Sequence, residues 1–273
     1  MKANMTRTIL IALFCSILVF AAAATSTERT KPIIREEIKV IVDGVQERWY
    51  LEWETPPVSE CGPENDDWMT CPCYGFAFGE AGHLNLVRQK TVEKIERFSL
   101  TDLFGYEEYP LLGEGKAILQ RWDTKKTDMN MDSGSPEFIS LVKSRPRVKV
   151  MHLKDYDHDG RATEFILQIG NEPCGKEMSV VVGISRSNPR LHLFTSAKNP
   201  KEPLILQRWH WESLAKAKTS VKVVHWAYGD HGFDGEEEYE LKADRGIIHA
   251  IKRVYEWDEK NGKRGRLIEH KEF

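Results

Sequence analysis

Three aspartates alternate with other residues at the start of segment 155–164, DYDHDGRATE, and form the strongest chemical pattern in the chain. Asp155, Asp157 and Asp159 occupy the first, third and fifth positions, and Gly160 occupies the sixth. Ca²⁺ takes about six to eight oxygen ligands, and a loop with this spacing can curl its carboxylates around one centre. Glycine permits the curl because it adopts a positive φ without a steric penalty. The pattern predicts a calcium-binding loop; the alternative is a polar turn with solvated acids.

The residues after the loop argue against an EF-hand. An EF-hand loop has a bidentate glutamate at its twelfth position, and this chain has Ile166 there. Segment 165–169, FILQI, alternates and is rich in branched and aromatic side chains. It therefore predicts a strand at the place where an EF-hand would continue into a helix.

An Asp-x-Asp-x-Asp-Gly loop that leads into an apolar strand resembles the calcium loops of FG-GAP and VCBS repeats in integrin-type β-propellers. The resemblance covers about a dozen residues. It implies that the aspartates supply side-chain oxygens, that the seventh position supplies a backbone carbonyl, and that the ninth position supplies an acid. This chain has threonine at the ninth position and glutamate at the tenth. The implied metal residues are Asp155, Asp157, Asp159, Arg161, Thr163 and Glu164. His158 is expected to face solvent, because Ca²⁺ prefers oxygen ligands.

A second segment, 230–238 with the sequence DHGFDGEEE, repeats the outline with glycine at the third position. Strand-like stretches flank it at 221–226 and 238–241, as at the first loop. The lost ligand position favours a glycine-rich hairpin loop over a second calcium loop. The chain shows no third copy and no fixed period, which a propeller of equivalent blades would show.

The N-terminus predicts export. Lys2 and Arg7 precede an apolar run over residues 9–24, and the alanines at 22–24 supply the small residues that a signal peptidase requires. The run is shorter than the roughly 20 apolar residues of a membrane span. We therefore expect a signal peptide at residues 1–24 and a secreted or periplasmic protein without a membrane span after cleavage. An uncleaved anchor is the alternative.

Four cysteines follow the predicted signal: Cys61, Cys71, Cys73 and Cys174. An even number in an exported chain favours disulfides. A bond between Cys71 and Cys73 would be strained because only Pro72 separates them, so we expect Cys61 to pair with one and Cys174 with the other. The same short spacing disfavours a zinc site, and the chain has no Cys-x-x-Cys redox motif.

Composition and motifs exclude several function classes. The formal net charge is −3, and basic residues are interspersed with acids throughout, which argues against a nucleic-acid partner. The sequence contains no Gly-x-Ser-x-Gly elbow, no His-Glu-x-x-His pair and no phosphate-binding glycine motif. Carboxylate pairs for glycoside cleavage are defined only in space, so a hydrolase of that kind stays open.

Apolar stretches joined by turn residues predict a mainly β fold of antiparallel sheets, a sandwich or propeller-like, with one or two short helices. Asp43-Gly44 and Asn261-Gly262 each predict a hairpin turn. Ser135 before Pro136 predicts one helix start, and residues 211–217 a second helix. Further strands are predicted at 84–87, 95–100, 117–122, 148–153, 180–185, 190–195, 247–255 and 266–270.

A compositional change at residues 126–135 gives a candidate domain boundary. It would separate an N-terminal β region at 25–128, with a disulfide-pinned loop, from a C-terminal β region at 135–273 that carries the calcium loop. One continuous domain is the alternative.

The favoured function is an exported, calcium-stabilised β protein that binds an unknown protein or glycan partner. An enzyme is less favoured, because the sequence shows a metal loop and no catalytic motif. The alternative is an extracytoplasmic, carbohydrate-active hydrolase whose catalytic carboxylates are far apart in sequence. Trp209 and Trp211 favour a glycan partner, because two indoles on the same side of an extended segment would form a flat platform for sugar rings. Most other tryptophans are expected to pack in the core.

Overall fold

Strands predominate in the structure. A computed structural model describes residues 31, 33–62, 73, 75–104, 115–123, 125, 128, 131–132, 134–172, 176–227, 235–258 and 260–273. The predicted signal peptide lies outside these residues. Residues Lys31–Phe273 group into one unit by their backbone contacts.

Fifteen strands and two α-helices occur within the described residues. The strands are β1 Ile33–Val42, β2 Val45–Trp53, β3 Val58–Glu60, β4 Gly79–Gly82, β5 Leu84–Gln89, β6 Ile95–Ser99, β7 Ala117–Gln120, β8 Glu164–Glu172, β9 Lys176–Gly183, β10 His192–Leu193, β11 Leu206–Gln207, β12 Ser220–Ala227, β13 Gly235–Asp244, β14 Ile247–Asp258 and β15 Lys263–Glu272. The helices are α1 Pro136–Lys143 and α2 Arg208–Lys216.

The strands form four antiparallel sheets. Two have the orders β1-β2-β5-β6 and β3-β4-β7, and a third is the meander β12-β13-β14-β15. In the fourth, β9 pairs with β8, β10 and β11. The predicted mainly β class, with antiparallel sheets and short helices, is confirmed.

Local turn chemistry explains the hairpins. Asp43 and Gly44 both have positive φ, 49° and 82°, as a two-residue turn between twisted strands requires. On β2, the side chains of Trp49, Leu51 and Trp53 are buried on one face. These alternate residues therefore form a core-facing side of the strand.

The first helix begins as its sequence predicts. Ser135 is the N-cap, its hydroxyl accepts a hydrogen bond from Phe138 N at 3.2 Å, and Pro136 occupies the first turn.

The second helix begins at Arg208, which overturns the predicted tryptophan platform. Trp209 and Trp211 belong to this helix, not to an extended segment, so their side chains do not lie on one face. Trp211 is fully buried and its indole donates to Ser179 O at 3.1 Å. The expected same-side pair is therefore wrong.

Residues 148–153 are not a strand, contrary to prediction. The segment runs between two isolated bridges, Trp122 with Arg147 and Lys154 with Glu164. The backbone N–H groups of Val150 and Met151 donate to the carboxylate of Glu36, at 2.7 and 3.1 Å. A side chain thus takes the hydrogen bonds that a neighbouring strand would otherwise provide.

The strand after the acidic loop is buried on both faces. Phe165 and Leu167 of β8 pack into a core with the residues of β2, and Ile166 packs into a second core with Trp211 and Leu241. Side chains alternate along a strand, so a continuous apolar run is what a strand between two cores requires. The loop at residues 155–163 therefore leads directly into the interior of the protein.

Candidate metal centre

The three aspartates of the loop converge. One carboxylate oxygen from each of Asp155, Asp157 and Asp159 lies within 4.8 Å of the other two. The loop curls because Asp159 N donates to Oδ1 of both Asp155 and Asp157, at 3.0 Å each. Gly160 has a φ of 90°, as predicted for the sixth position, and its N–H donates to Asp155 Oδ2 at 3.0 Å.

Asp157 is the centre of the cluster. It is 0% exposed, and within the described residues its Oδ2 atom has no hydrogen-bond partner. Burial, followed by the charge of Asp159, raises the pKa of Asp157 to about 7. A buried carboxylate oxygen without a donor is unfavourable unless a proton or a cation satisfies it.

The β13–β14 turn covers Asp157. Gly246 N donates to Asp157 O at 2.9 Å, and Gly246 has a φ of 89°. A Cβ at Gly246 would lie 3.1 Å from Ser187 Oγ and 3.4 Å from Asp157 Oδ2. Glycine thus suits this position both by its backbone conformation and by the close approach of the turn.

Two arginines hold Asp159. Arg161 Nη2 lies 3.3 Å from Asp159 Oδ2, and Arg186 donates to Asp159 through its backbone N–H and, at 2.8 Å, through Nε to the backbone carbonyl. Arg161 also contacts Asp43 of the β1–β2 turn at 3.1 Å. These contacts offset part of the negative charge of the cluster. That the Arg161 carbonyl is a ligand stays a prediction.

Thr163 and Glu164 lie where the loop joins β8. The carboxylate of Glu164 accepts from Tyr156 N at 2.7 Å and from Thr163 N at 3.2 Å. Burial, with the nearby charge of Asp157 second, raises the pKa of Glu164 to about 9. Thr163 Oγ1 contacts both Ile184 O and Glu164 Oε1, at 2.9 and 2.8 Å. One hydroxyl proton cannot serve both, so a protonated Glu164 satisfies this pair best.

The loop joins several parts of the fold. His158 is half-buried, and its Nε2 lies 3.0 Å from Leu214 O of α2, so the expectation that it faces solvent is wrong. The loop at residues 155–163 contacts four other parts of the fold: the first hairpin through Asp43, α2 through Leu214, the turn after β9 through Arg186 and the β13–β14 turn through Gly246. The loop is therefore a structural junction.

The residues present fit a hard divalent cation. Every convergent donor in the triad is an oxygen, all three groups are acids, and one buried oxygen lacks a donor. Such a set suits Ca²⁺ or Mg²⁺ better than zinc, which favours nitrogen and sulfur ligands.

One predicted disulfide is present. Cys61 and Cys73 are bonded, with 12 residues of separation. Cys71 and Cys174 lie outside the described residues, as do residues 230–234 of the second acidic segment. The remainder of that segment, from Gly235, is the start of β13.

A second titratable cluster was not apparent from sequence. His210 of α2 is 0% exposed, and neither ring nitrogen has a hydrogen-bond partner among the described residues. Burial, followed by the proximity of His225, lowers the pKa of His210 to about 3. Its ring stacks between Trp209 and Tyr239, at centroid distances of 4.2 and 4.0 Å.

Glu237 lies at the edge of this cluster. Its carboxylate is 2.8 Å from His225 Nε2, in ion-pair rather than aligned hydrogen-bond geometry, and 3.0 Å from Lys252 Nζ. Burial opposes ionisation of Glu237, but His225 and Lys252 outweigh it and lower the pKa to about 2. These residues come from three strands and a helix, so no local pattern in the sequence brings them together.

In the part of the chain that the structure describes, no helix has both the length and the apolarity needed to cross a membrane. Comparison with protein-family models, curated proteins and solved structures found no match to this chain.

Proposed function

We propose that this chain is an exported β protein which Ca²⁺ stabilises through Asp155, Asp157 and Asp159, and which acts by binding a partner. The single observation that carries the metal assignment is Asp157, a fully buried carboxylate with one unpartnered oxygen among two further carboxylates. Three acids this close repel one another, and a divalent cation removes that repulsion.

Calcium is favoured over magnesium by the form of the loop. Mg²⁺ requires near-ideal octahedral geometry and keeps several waters, whereas Ca²⁺ accepts irregular sets of carboxylate and carbonyl oxygens. Here the carboxylates of Asp157 and Asp159 are buried and Asp155 is half-buried, in a loop fixed by backbone hydrogen bonds. We expect Arg161 O and a water to complete the set, because the Thr163 hydroxyl and the Glu164 carboxyl are already engaged with each other and with backbone groups.

A structural role for the cation follows from the position of the loop. Four separate segments contact it, and it leads into a strand that is buried on both faces. The Cys61–Cys73 disulfide supports an oxidising location, in keeping with a secreted or periplasmic protein. Binding is favoured over hydrolysis because the metal loop has a structural use without any reacting group.

The test is thermal unfolding and calorimetric titration of the mature protein with Ca²⁺, Mg²⁺ or a chelator. A ligand that binds only the native state raises stability by RT ln(1 + [L]/Kd), which is about 2.7 kcal/mol at a hundredfold excess over Kd. We expect one Ca²⁺ per chain and a higher Tm in Ca²⁺ than in Mg²⁺. An unchanged Tm and no heat of binding would refute the metal assignment. Turnover of a glycan substrate would favour the hydrolase instead.

A further inference from the structure

A basic groove of about 580 Å³ lies away from the acidic loop. Five cations line it, from three separate parts of the chain: Lys125, Arg145, Arg147, Lys149 and Arg208. Two acids, Asp123 and Glu177, lie among them. The chain as a whole has more acids than bases, so this is a local concentration of positive charge that the fold assembles.

Ion pairs hold three arginines at the groove in fixed orientations. Arg145 makes two parallel hydrogen bonds to Asp128, at 2.7 and 2.8 Å. Arg147 Nη2 lies 3.2 Å from Glu80, and Arg208 Nε lies 2.7 Å from Glu177. Each pair uses only part of a guanidinium that has five N–H donors. The remaining donors are therefore preorganised, which lowers the entropic cost of binding an anion.

Two lysines supply charge that no acid among the described residues neutralises by direct contact. Lys125 and Lys149 are exposed, and neither forms an ion pair within the described residues. Arg208 is also accessible, with 42% of its side chain exposed. These three side chains can reach a ligand that lies along the groove.

We propose that this groove binds an acidic polysaccharide that carries carboxylate or sulfate groups, which names the partner class of the proposed binding function. The groove is far larger than one phosphate and falls in the usual size range of ligand sites, about 300–1,000 Å³. Its five cations come from three separate segments of the chain, which suits an extended ligand with repeated charges. Single-stranded nucleic acid is bound by stacking on aromatic side chains, and among the described residues that line this groove the only aromatic ring is that of His152, so nucleic acid fits the groove itself less well.

An adjacent cleft of about 380 Å³ supports a sugar ligand. Residues 120–123 line both the groove and the cleft. Gln120 and Asp123 line the groove, and Arg121 and Trp122 line the cleft. Arg121 stacks over the Trp122 ring at 4.4 Å, and Lys143 adds a further cation. An aromatic ring beside cations suits a polymer of charged pyranose rings better than a small inorganic anion.

The test measures affinity of the full-length mature protein for a heparin-derived hexasaccharide by titration calorimetry. A neutral dextran-derived hexasaccharide, an oligonucleotide and inorganic phosphate serve as the other probes. The groove variant is Lys125→Gln/Lys149→Gln/Arg208→Gln. The control variant Lys39→Gln/Lys90→Gln/Lys242→Gln removes the same charge from exposed lysines outside the groove lining.

We expect the acidic hexasaccharide to bind in a salt-dependent manner and the neutral one not to bind. The groove variant should lose about tenfold to a hundredfold in affinity, as for three charge-assisted contacts, and the control less than about twofold. Arg208→Gln could lower Tm by leaving Glu177 unpaired. The double variant Lys125→Gln/Lys149→Gln breaks no ion pair in the part of the chain that the structure describes, so it still decides the result.

Several outcomes would overturn the proposal: no binding, equal loss in both variants, tighter binding of the oligonucleotide, or full displacement by an equal concentration of phosphate. The Tm shift in Ca²⁺ is measured on the same variants. If the unaltered protein shows the Tm shift in Ca²⁺ but does not bind the hexasaccharide, the groove alone is refuted. If it binds the hexasaccharide but shows no Tm shift, the metal assignment alone is refuted.

Discussion

Replacement of Asp157 by asparagine should have opposite effects on stability with and without calcium. Asparagine has the same shape, and its Oδ1 can keep the hydrogen bond from Asp159 N. Without metal, the change removes a buried negative charge from two others within 4.8 Å. At an effective dielectric constant near 20, each such repulsion is worth about 3.5 kcal/mol. Arg161 and Arg186 offset much of it, so we expect the apo protein to gain about 1–2 kcal/mol, which is less than the calcium term.

In calcium the sign should reverse. The unaltered protein gains about 2.7 kcal/mol at a hundredfold excess of Ca²⁺ over Kd. The Asp157→Asn protein should gain close to none, because it has lost the central charged ligand. Apo stability should therefore rise while the response to calcium disappears.

The assay is urea unfolding at pH 8.5, which is above the pKa of about 7 for Asp157, in chelator and in millimolar Ca²⁺. Asp102→Asn, which alters an exposed acid outside the loop, is the matched control and should change neither curve. A destabilised apo variant would show that Asp157 accepts hydrogen bonds rather than repels its neighbours. A calcium response as large as that of the unaltered protein would place the ion elsewhere.

Three further predictions concern other parts of the fold. The variant Cys61→Ser/Cys73→Ser removes a disulfide that joins residues 12 positions apart. It should lower the free energy of unfolding, measured in urea titrations, by about 3 kcal/mol. An unchanged value would mean that the disulfide does not constrain the unfolded chain. Because its folded pKa is lowered to about 2, Glu237 contributes stability above pH 4.5 that is lost as pH falls toward 2, on the order of 3 kcal/mol. Glu237→Gln should remove most of this acid dependence, and an identical slope in both proteins would refute the ion pairs. Trp211→Ala should cost about 3–5 kcal/mol because Trp211 is fully buried, and a smaller loss would mean that the second core collapses around the gap.

The acidic loop could be predicted because its determinants are contiguous. Asp155, Asp157 and Asp159 stand two residues apart, and the only backbone requirement, a positive φ, falls on Gly160. The two hairpin turns and the Ser135 cap are local in the same sense. Each depends on residues within one turn of chain, where intrinsic preference and tertiary structure agree.

The failed predictions share a different cause. Segment 148–153 has strand-like residues, but Glu36, more than a hundred residues earlier, takes its backbone donors. Trp209 and Trp211 alternate as a strand would require, yet the chain enters a helix at Arg208. In both cases tertiary contacts override a short local pattern, which carries little free energy by itself. The basic groove and the buried His210 were inaccessible to sequence reasoning for a related reason, since their members come from distant segments.

Strand β8 relates the acidic loop to the basic groove. The loop joins β8 at Glu164, Gln168 of the same strand lines the groove, and Glu177 of β9 pairs with Asn171. A strand rises about 3.3 Å per residue, so the Glu177 end of this pair lies about 23 Å along the strand from the loop. The groove arginines are fixed by their own ion pairs and not by the loop. We therefore expect a cation bound at the loop to act on the junction between segments and on the start of β8, and the ion pairs of the fold to set the charge of the groove independently of it.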